Sequence, residues 1–196
     1  MITAGAGSSP QIGLHRCLLV AAGAFFILLT TSIRGGCASD GPIRELRWGV
    51  AAHDVDGLWS GESYEDGADI LAGMVFNRPL FHLLSGRAYP EVGVSVNTHG
   101  DTSKIFGGLL LQWELPGPFF FAAGAGLALH NGKRDTNQPD RKSLGARVLF
   151  RIPIEIGIAI DRHHRFMIVF DHASNAGLEQ PNEGLDTLGV MYGYRF

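Results

Sequence analysis

The chain has 196 residues, 45% of them hydrophobic and 18% charged, with a formal net charge of -3. That length suits one domain, and the mild negative charge gives no basis for a nucleic-acid partner. The 27 glycines recur inside apolar stretches, and the two cysteines, Cys17 and Cys37, lie near the start, leaving the rest without a disulfide framework.

Residues 1–39 read as a secretory signal. His15 and Arg16 precede an apolar run over 17–33, and the small residues Gly35, Gly36, Ala38 and Ser39 follow. A retained membrane helix competes, because the run is almost long enough to span. The small residues and the lack of a second apolar helix favour cleavage. Lipoprotein attachment at Cys37 is weakened by Arg34, which stands where an aliphatic residue is wanted. The expected organisation is a cleaved signal over 1–39 and a single domain over 40–196.

Strand-like segments then recur at close spacing. The first, 45–53, sets Leu46, Trp48, Val50 and Ala52 against Arg47, Gly49, Ala51 and His53. A polar stretch over 54–67 leads to the second, 68–76, with Ile70, Ala72, Met74 and Phe76 on one side. The third, 88–98, has Val92, Val94 and Val96 on one face. The fourth, 104–115, has Ile105, Leu109, Leu111 and Trp113 opposed to Gln112 and Glu114. Pro116, Gly117 and Pro118 form a tight turn. The fifth, 119–129, is apolar with alanine and glycine on one face, and a polar loop over 130–142 follows.

The sixth segment is the most informative. From Leu144 to Ile160 the even positions are all apolar, while the odd positions include Arg147, Arg151, Glu155 and Asp161. A side-chain period of two therefore separates a hydrocarbon face from a charged one. Five isoleucines in succession on one side, opposite small and charged residues, fit a strand with lipid outside and a packed polar interior. Pro153 is awkward in a ladder and is expected to mark a bulge. The turn 161–165 leads to the seventh strand, and the eighth, 186–196, carries Leu188, Val190, Tyr192, Tyr194 and Phe196 on one face, with aromatics suited to an interfacial girdle.

The fold expected is all-β: an eight-stranded antiparallel transmembrane barrel of the bacterial outer membrane. With the N-terminus in the periplasm, the outer loops are 54–67, 99–103, 130–142 and 175–185, mostly longer than the inner turns. An interior of this size is filled by side chains, which argues against a diffusion pore.

On the seventh strand Phe166, Ile168 and Phe170 share a face with His172 and Ser174. The topology puts that base and hydroxyl on the lipid-facing side at the outer end. Asp186 opens the paired eighth strand with the same parity as its apolar face. A serine needs a base to take its proton, and the base needs a carboxylate to orient it. His172 and Asp186 fit those roles, and Asn175 or nearby backbone N–H groups fit an oxyanion hole. The bland reading is that Ser174, Asn175, Gly177, Pro181, Asn182 and Gly184 are ordinary turn residues.

The run His172-Ala173-Ser174-Asn175-Ala176-Gly177, with Pro181-Asn182, Gly184-Leu185-Asp186 and the closing Tyr194-Arg195-Phe196, resembles the PagL family of lipid A 3-O-deacylases. The likeness is carried by 150–196 and is only architectural before it. It implies an eight-stranded outer-membrane barrel with a Ser-His-Glu triad on its outer wall. Carried over, Ser174 is the nucleophile, His172 the base and Asn175 the oxyanion-hole asparagine. The acid departs from the pattern, since Asp186 stands where the best-known members have glutamate. Glu183 and Glu179 are the alternatives, and parity favours Asp186. The implied activity is an esterase that removes an acyl chain, at the 3-position, from lipid A of lipopolysaccharide.

Two rival functions remain at this point: an outer-membrane phospholipase, which needs a larger barrel and calcium ligands, and a non-enzymatic structural or adhesive barrel. No cofactor or metal is expected, because His53, His99 and His130 lack metal-ligand spacing and His163 and His164 lie in an inner turn. The expected partners are lipid A and the outer membrane, and homodimerisation is left open.

Overall fold

The computed structural model describes residues 41–196. The expected signal segment lies outside them. Among the described residues nine strands run in chain order: β1 Ile43–Ala52, β2 Ala68–Phe76, β3 Phe81–Leu83, β4 Gly86–Asn97, β5 Lys104–Glu114, β6 Phe119–His130, β7 Val148–Ala159, β8 His164–Ser174 and β9 Leu185–Arg195. Each long strand pairs antiparallel with its sequence neighbour among the long strands, and β1 also pairs with β9. The β2–β4 ladder completes the ring. Eight long strands of 9–12 residues thus form a closed barrel, the length a tilted strand needs to cross a bilayer. Closure leaves no ladder edge unpaired in lipid.

The short β3 lies in the connection between β2 and β4. It folds back on β4 alone, through Leu84 and Ser85, whose φ values of 48° and 66° both fall in the left-handed region. That is the backbone of a tight hairpin.

The two faces invert the soluble pattern. Ile70, Val96, Ile105, Ile154, Ile156, Ile158, Ile168 and Val190 are exposed. Glu45, Arg47, Glu91, Lys104, Arg151, Glu155, Arg165 and Asp171 are buried inside. There Arg47 bonds Glu45 and Glu155, each at 2.7 Å, and Arg165 reaches Glu45 at 3.0 Å. Arg151 pairs with Glu91 at 2.5 Å and Asp171 at 2.8 Å, and Lys104 also pairs with Asp171 at 2.8 Å. Removing charges from water is costly unless each is paired, and this mesh supplies the partners. Phe120, Met167, Val169 and Met191 fill part of the remaining space, with the Arg165 guanidinium 3.4 Å from the Phe120 ring centre. Near the short-turn end Trp48 and Phe166 contact the Tyr192 ring, and His164 links Tyr192 to Tyr194, which in turn meets Phe196.

Three expectations about the sixth segment are corrected. Its ladder begins at Val148, not Leu144. Leu144 is fully buried against Leu149, Ala173 and Leu185, because Gly145 takes a φ of 72° and turns the chain over the barrel end. Arg147 precedes the ladder and is exposed rather than internal. Pro153 makes no bulge: the β6–β7 register is unshifted across it, and Pro153 stays opposite Asp171 in β8. Gly124 provides the room, since a Cβ there would lie 2.8 Å from the proline ring and 2.6 Å from the Leu109 carbonyl. A small residue opposite the imino acid absorbs the irregularity without an inserted residue.

Candidate active site

The long-loop end of the β8–β9 pair holds the candidate residues. His172 and Ser174 lie two apart on one face of β8, and Asp186 is the direct cross-strand partner of His172. Facing residues of this kind hold their Cβ atoms roughly 4.5–5.5 Å apart, a gap that a short carboxylate spans. Asp186 Oδ1 lies 2.7 Å from His172 Nδ1, and His172 Nε2 lies 3.0 Å from Ser174 Oγ. With Nδ1–H donated to the carboxylate, Nε2 is left to accept the serine proton. Glu183 and Glu179 lie elsewhere: Glu183 accepts the Ser143 N–H at 2.5 Å, and Glu179 pairs with Arg134 at 3.3 Å.

The parity of His172 is outward, yet the residue is only 8% exposed and Asp186 is 0% exposed. The cover comes from loop 54–67, which sequence reasoning left without a role. The Ser60 N–H donates to Asp186 Oδ2 at 2.6 Å, and Ser60 Oγ stands 3.4 Å from His172 Nδ1. The Trp59 ring stacks on His172 with centres 4.6 Å apart and on Phe170 at 6.3 Å. The Val55 N–H donates to the Asp186 carbonyl at 2.9 Å. Gly184, with a φ of 66°, leaves space for Ser60: a Cβ there would stand 2.8 Å from the hydroxyl. The signal available in the sequence was slight, an apolar Leu58-Trp59 pair inside a polar loop.

That loop is anchored over the barrel end by buried charge. Asp54 accepts the N–H groups of Tyr64 and Glu65 at 2.7 and 3.0 Å and pairs with Lys142 at 2.9 Å. His53 meets Asp69 through Nδ1 at 2.8 Å and Glu65 through Nε2 at 3.0 Å. Burial disfavours charge on His53, but the hydrogen bonds to the two carboxylates outweigh it and raise its pKa to about 9. Burial likewise opposes ionisation of Glu65, while bonds from His53, Thr102 and the Lys142 N–H hold it below the usual carboxylate range.

Asn175 follows the serine and is buried. Its amide donates to the carbonyls of Leu144, Glu179 and Pro181 at 3.2, 3.0 and 3.1 Å, and its Oδ1 accepts the Gly177 N–H at 2.8 Å. The side chain therefore holds loop 175–184 in shape and has no free hydrogen aimed outward. Ala176, with a φ of 56°, is exposed, and its N–H has no acceptor among the described residues. Phe150 is the cross-strand partner of Ser174, and Ile152 partners His172, so the hydroxyl borders the apolar outer wall.

The model of the family described as Lipid A 3-O-deacylase (PagL) matches residues 76–195, a stretch that includes His172, Ser174 and Asp186. The chain belongs to the PagL family. The lipid A deacylase PagL of Bordetella bronchiseptica is 29% identical over 87 residues, 44% of this chain and 47% of that protein, so the alignment spans about half of the curated relative. Among solved structures, the crystal structure of the outer membrane enzyme PagL superposes with a TM-score of 0.59 at 22% identity, covering 78% of this chain and 99% of that one. The N-terminal barrel domain of Pseudomonas aeruginosa OprF matches at 0.53 with 12% identity, over 79% of this chain and 98% of that domain. Neisserial surface protein A matches at 0.51 with 10% identity, over 80% and 98%. These structural likenesses carry the PagL-type outer-membrane barrel fold.

Proposed function

We propose that this PagL-family chain is an outer-membrane serine esterase that removes the 3-O-linked acyl chain of lipid A, with its site facing the outer leaflet. The observation that carries the reading is the continuous Ser174–His172–Asp186 relay at the rim of an apolar outer wall. Export through a cleaved signal over 1–39 belongs to the same reading.

Ser174 Oγ attacks the acyl carbonyl while His172 Nε2 takes its proton. Asp186 stabilises the imidazolium and fixes its tautomer. The oxyanion is met by the Ala176 N–H, and Asn175 shapes the turn that presents it. His172 then protonates the departing sugar oxygen, leaving the acyl group on Ser174. Water, deprotonated by His172, releases the fatty acid and restores the serine. The Trp59 ring shields the imidazole from bulk water, which strengthens the charge interactions beneath it. Aspartate suffices where relatives have glutamate, because the direct cross-strand position removes the need for an extra methylene.

The test is hydrolysis by purified protein in detergent, comparing lipid A with phosphatidylethanolamine. Release of one fatty acid from lipid A, with phosphatidylethanolamine left intact, is the expected result. Cleavage of the phospholipid alone would overturn it.

A further inference from the structure

Beside the serine a groove of about 440 Å³ opens between loop 131–147 and loop 175–184, lined by Leu127, Arg134, Arg147, Val148, Phe150 and Leu178 together with Asn175 and Glu179. Its floor is outer-wall hydrocarbon: Leu127, Val148 and Phe150 are each about half exposed. Phe150 faces Ser174 across the β7–β8 ladder, so the floor runs directly to the nucleophile.

The upper wall is cationic. Arg134 Nε donates to the Gly145 carbonyl at 2.9 Å, and its Nη2 reaches Glu179 at 3.3 Å. Arg147 Nη1 donates to the Gly132 carbonyl at 3.3 Å. Each guanidinium is thus tethered by one backbone carbonyl while several of its five N–H donors remain available. The Arg134–Glu179 pair is more than half exposed on both sides, so it offers little resistance to a stronger anion. Two tethered guanidinium forks over an apolar floor match an amphiphile with an anionic tetrahedral group at one end, because such forks bind phosphate oxygens in pairs.

We propose that Arg134 and Arg147 bind a phosphate monoester of the glycolipid substrate while its acyl chain lies over Leu127, Val148 and Phe150, which sets the ester at Ser174. This rests on the deacylase reading and deepens it: the enzyme selects phosphorylated glycolipids over neutral ones.

The test uses the full chain purified in detergent and three substrates: phosphorylated lipid A, the same lipid with its phosphates removed, and a neutral p-nitrophenyl ester. The double variant Arg134→Gln/Arg147→Gln, its barrel checked by the heat-dependent gel shift, should lose selectivity. Its kcat/KM ratio for phosphorylated over dephosphorylated lipid should fall roughly 10- to 100-fold, carried by KM, as expected for lost charged hydrogen bonds. The single variant Arg147→Lys should fall between. Added inorganic phosphate should raise the wild-type KM for phosphorylated lipid A. An unchanged ratio, or equal losses on both lipids, would overturn the assignment. So would inorganic phosphate altering hydrolysis of the dephosphorylated lipid, which would make the groove an effector site. Wild-type protein that cleaves the p-nitrophenyl ester but neither lipid would instead defeat the deacylase reading, and this assignment with it.

Discussion

Asp186 stands directly across the β8–β9 ladder from His172, with Oδ1 2.7 Å from Nδ1, and its second oxygen accepts the Ser60 N–H at 2.6 Å. Both carboxylate oxygens are therefore committed, one to the imidazole and one to the covering loop. A fully buried carboxylate needs such partners to stay ionised.

Replacing Asp186 by Asn should leave the barrel folded and lower kcat by roughly 10⁴-fold, since the amide favours the wrong imidazole tautomer. Glu183→Gln and Glu179→Gln should cost far less. Steady-state kinetics on a p-nitrophenyl ester would check this, and a larger loss from either glutamate variant would contradict the assignment of the acid.

Ser60 acts on the site through its backbone. Ser60→Pro removes the N–H that holds Asp186 Oδ2 and should lower kcat roughly 10-fold or more, the worth of one hydrogen bond to a charged group. Ser60→Ala keeps that N–H and should cost at least tenfold less than proline. Equal losses in the two variants would mean that the loop matters only by its bulk.

The anchor of the same loop should be pH-sensitive. His53 has a folded-state pKa raised to about 9, against an ordinary 6.5. Its contribution, on the order of 3 kcal/mol, is fully present below about pH 6.5 and is lost as pH rises through about 9. Glu65 works in the opposite direction, contributing above its ordinary range and losing that contribution as pH falls. Limited proteolysis within loop 54–67 should accelerate as pH passes about 9, and Glu65→Gln should move that onset lower. A flat cleavage rate across that range would contradict the ionic anchor.

Inside the barrel, Arg47 bonds both Glu45 and Glu155 at 2.7 Å. Arg47→Leu leaves two buried carboxylates short of a partner and should destabilise by roughly 3–5 kcal/mol. Adding Glu155→Leu should recover part of that loss. Urea unfolding in detergent micelles measures both, and a silent Arg47→Leu would mean that the lumen is wetter than the packing indicates.

Much of this was legible in the sequence through the period of two. Ile154, Ile156 and Ile158 on one face and Arg151 and Glu155 on the other report what surrounds the barrel and what fills it. The same parity puts His172, Ser174 and Asp186 together. The period fails where the chain leaves the ladder. Leu144 continues the even-position pattern of β7 but packs over the barrel end, because a buried plug and a lipid-facing strand both select leucine. The roles of Trp59 and Ser60 are only faintly marked for another reason: loop 54–67 has no period, and contacts distant in sequence, such as Asp54 with Lys142, decide where it lies. The exposed Arg147 follows from the same late start of β7.

The most direct test of the central claim is mass spectrometry of lipid A from cells producing the wild-type chain or Ser174→Ala, with folding of both confirmed by the heat-dependent gel shift. The wild-type chain should yield lipid A lighter by one ester-linked acyl group, and Ser174→Ala should yield the same spectrum as cells without the protein. Lipid A shortened equally by Ser174→Ala would contradict the serine-esterase account.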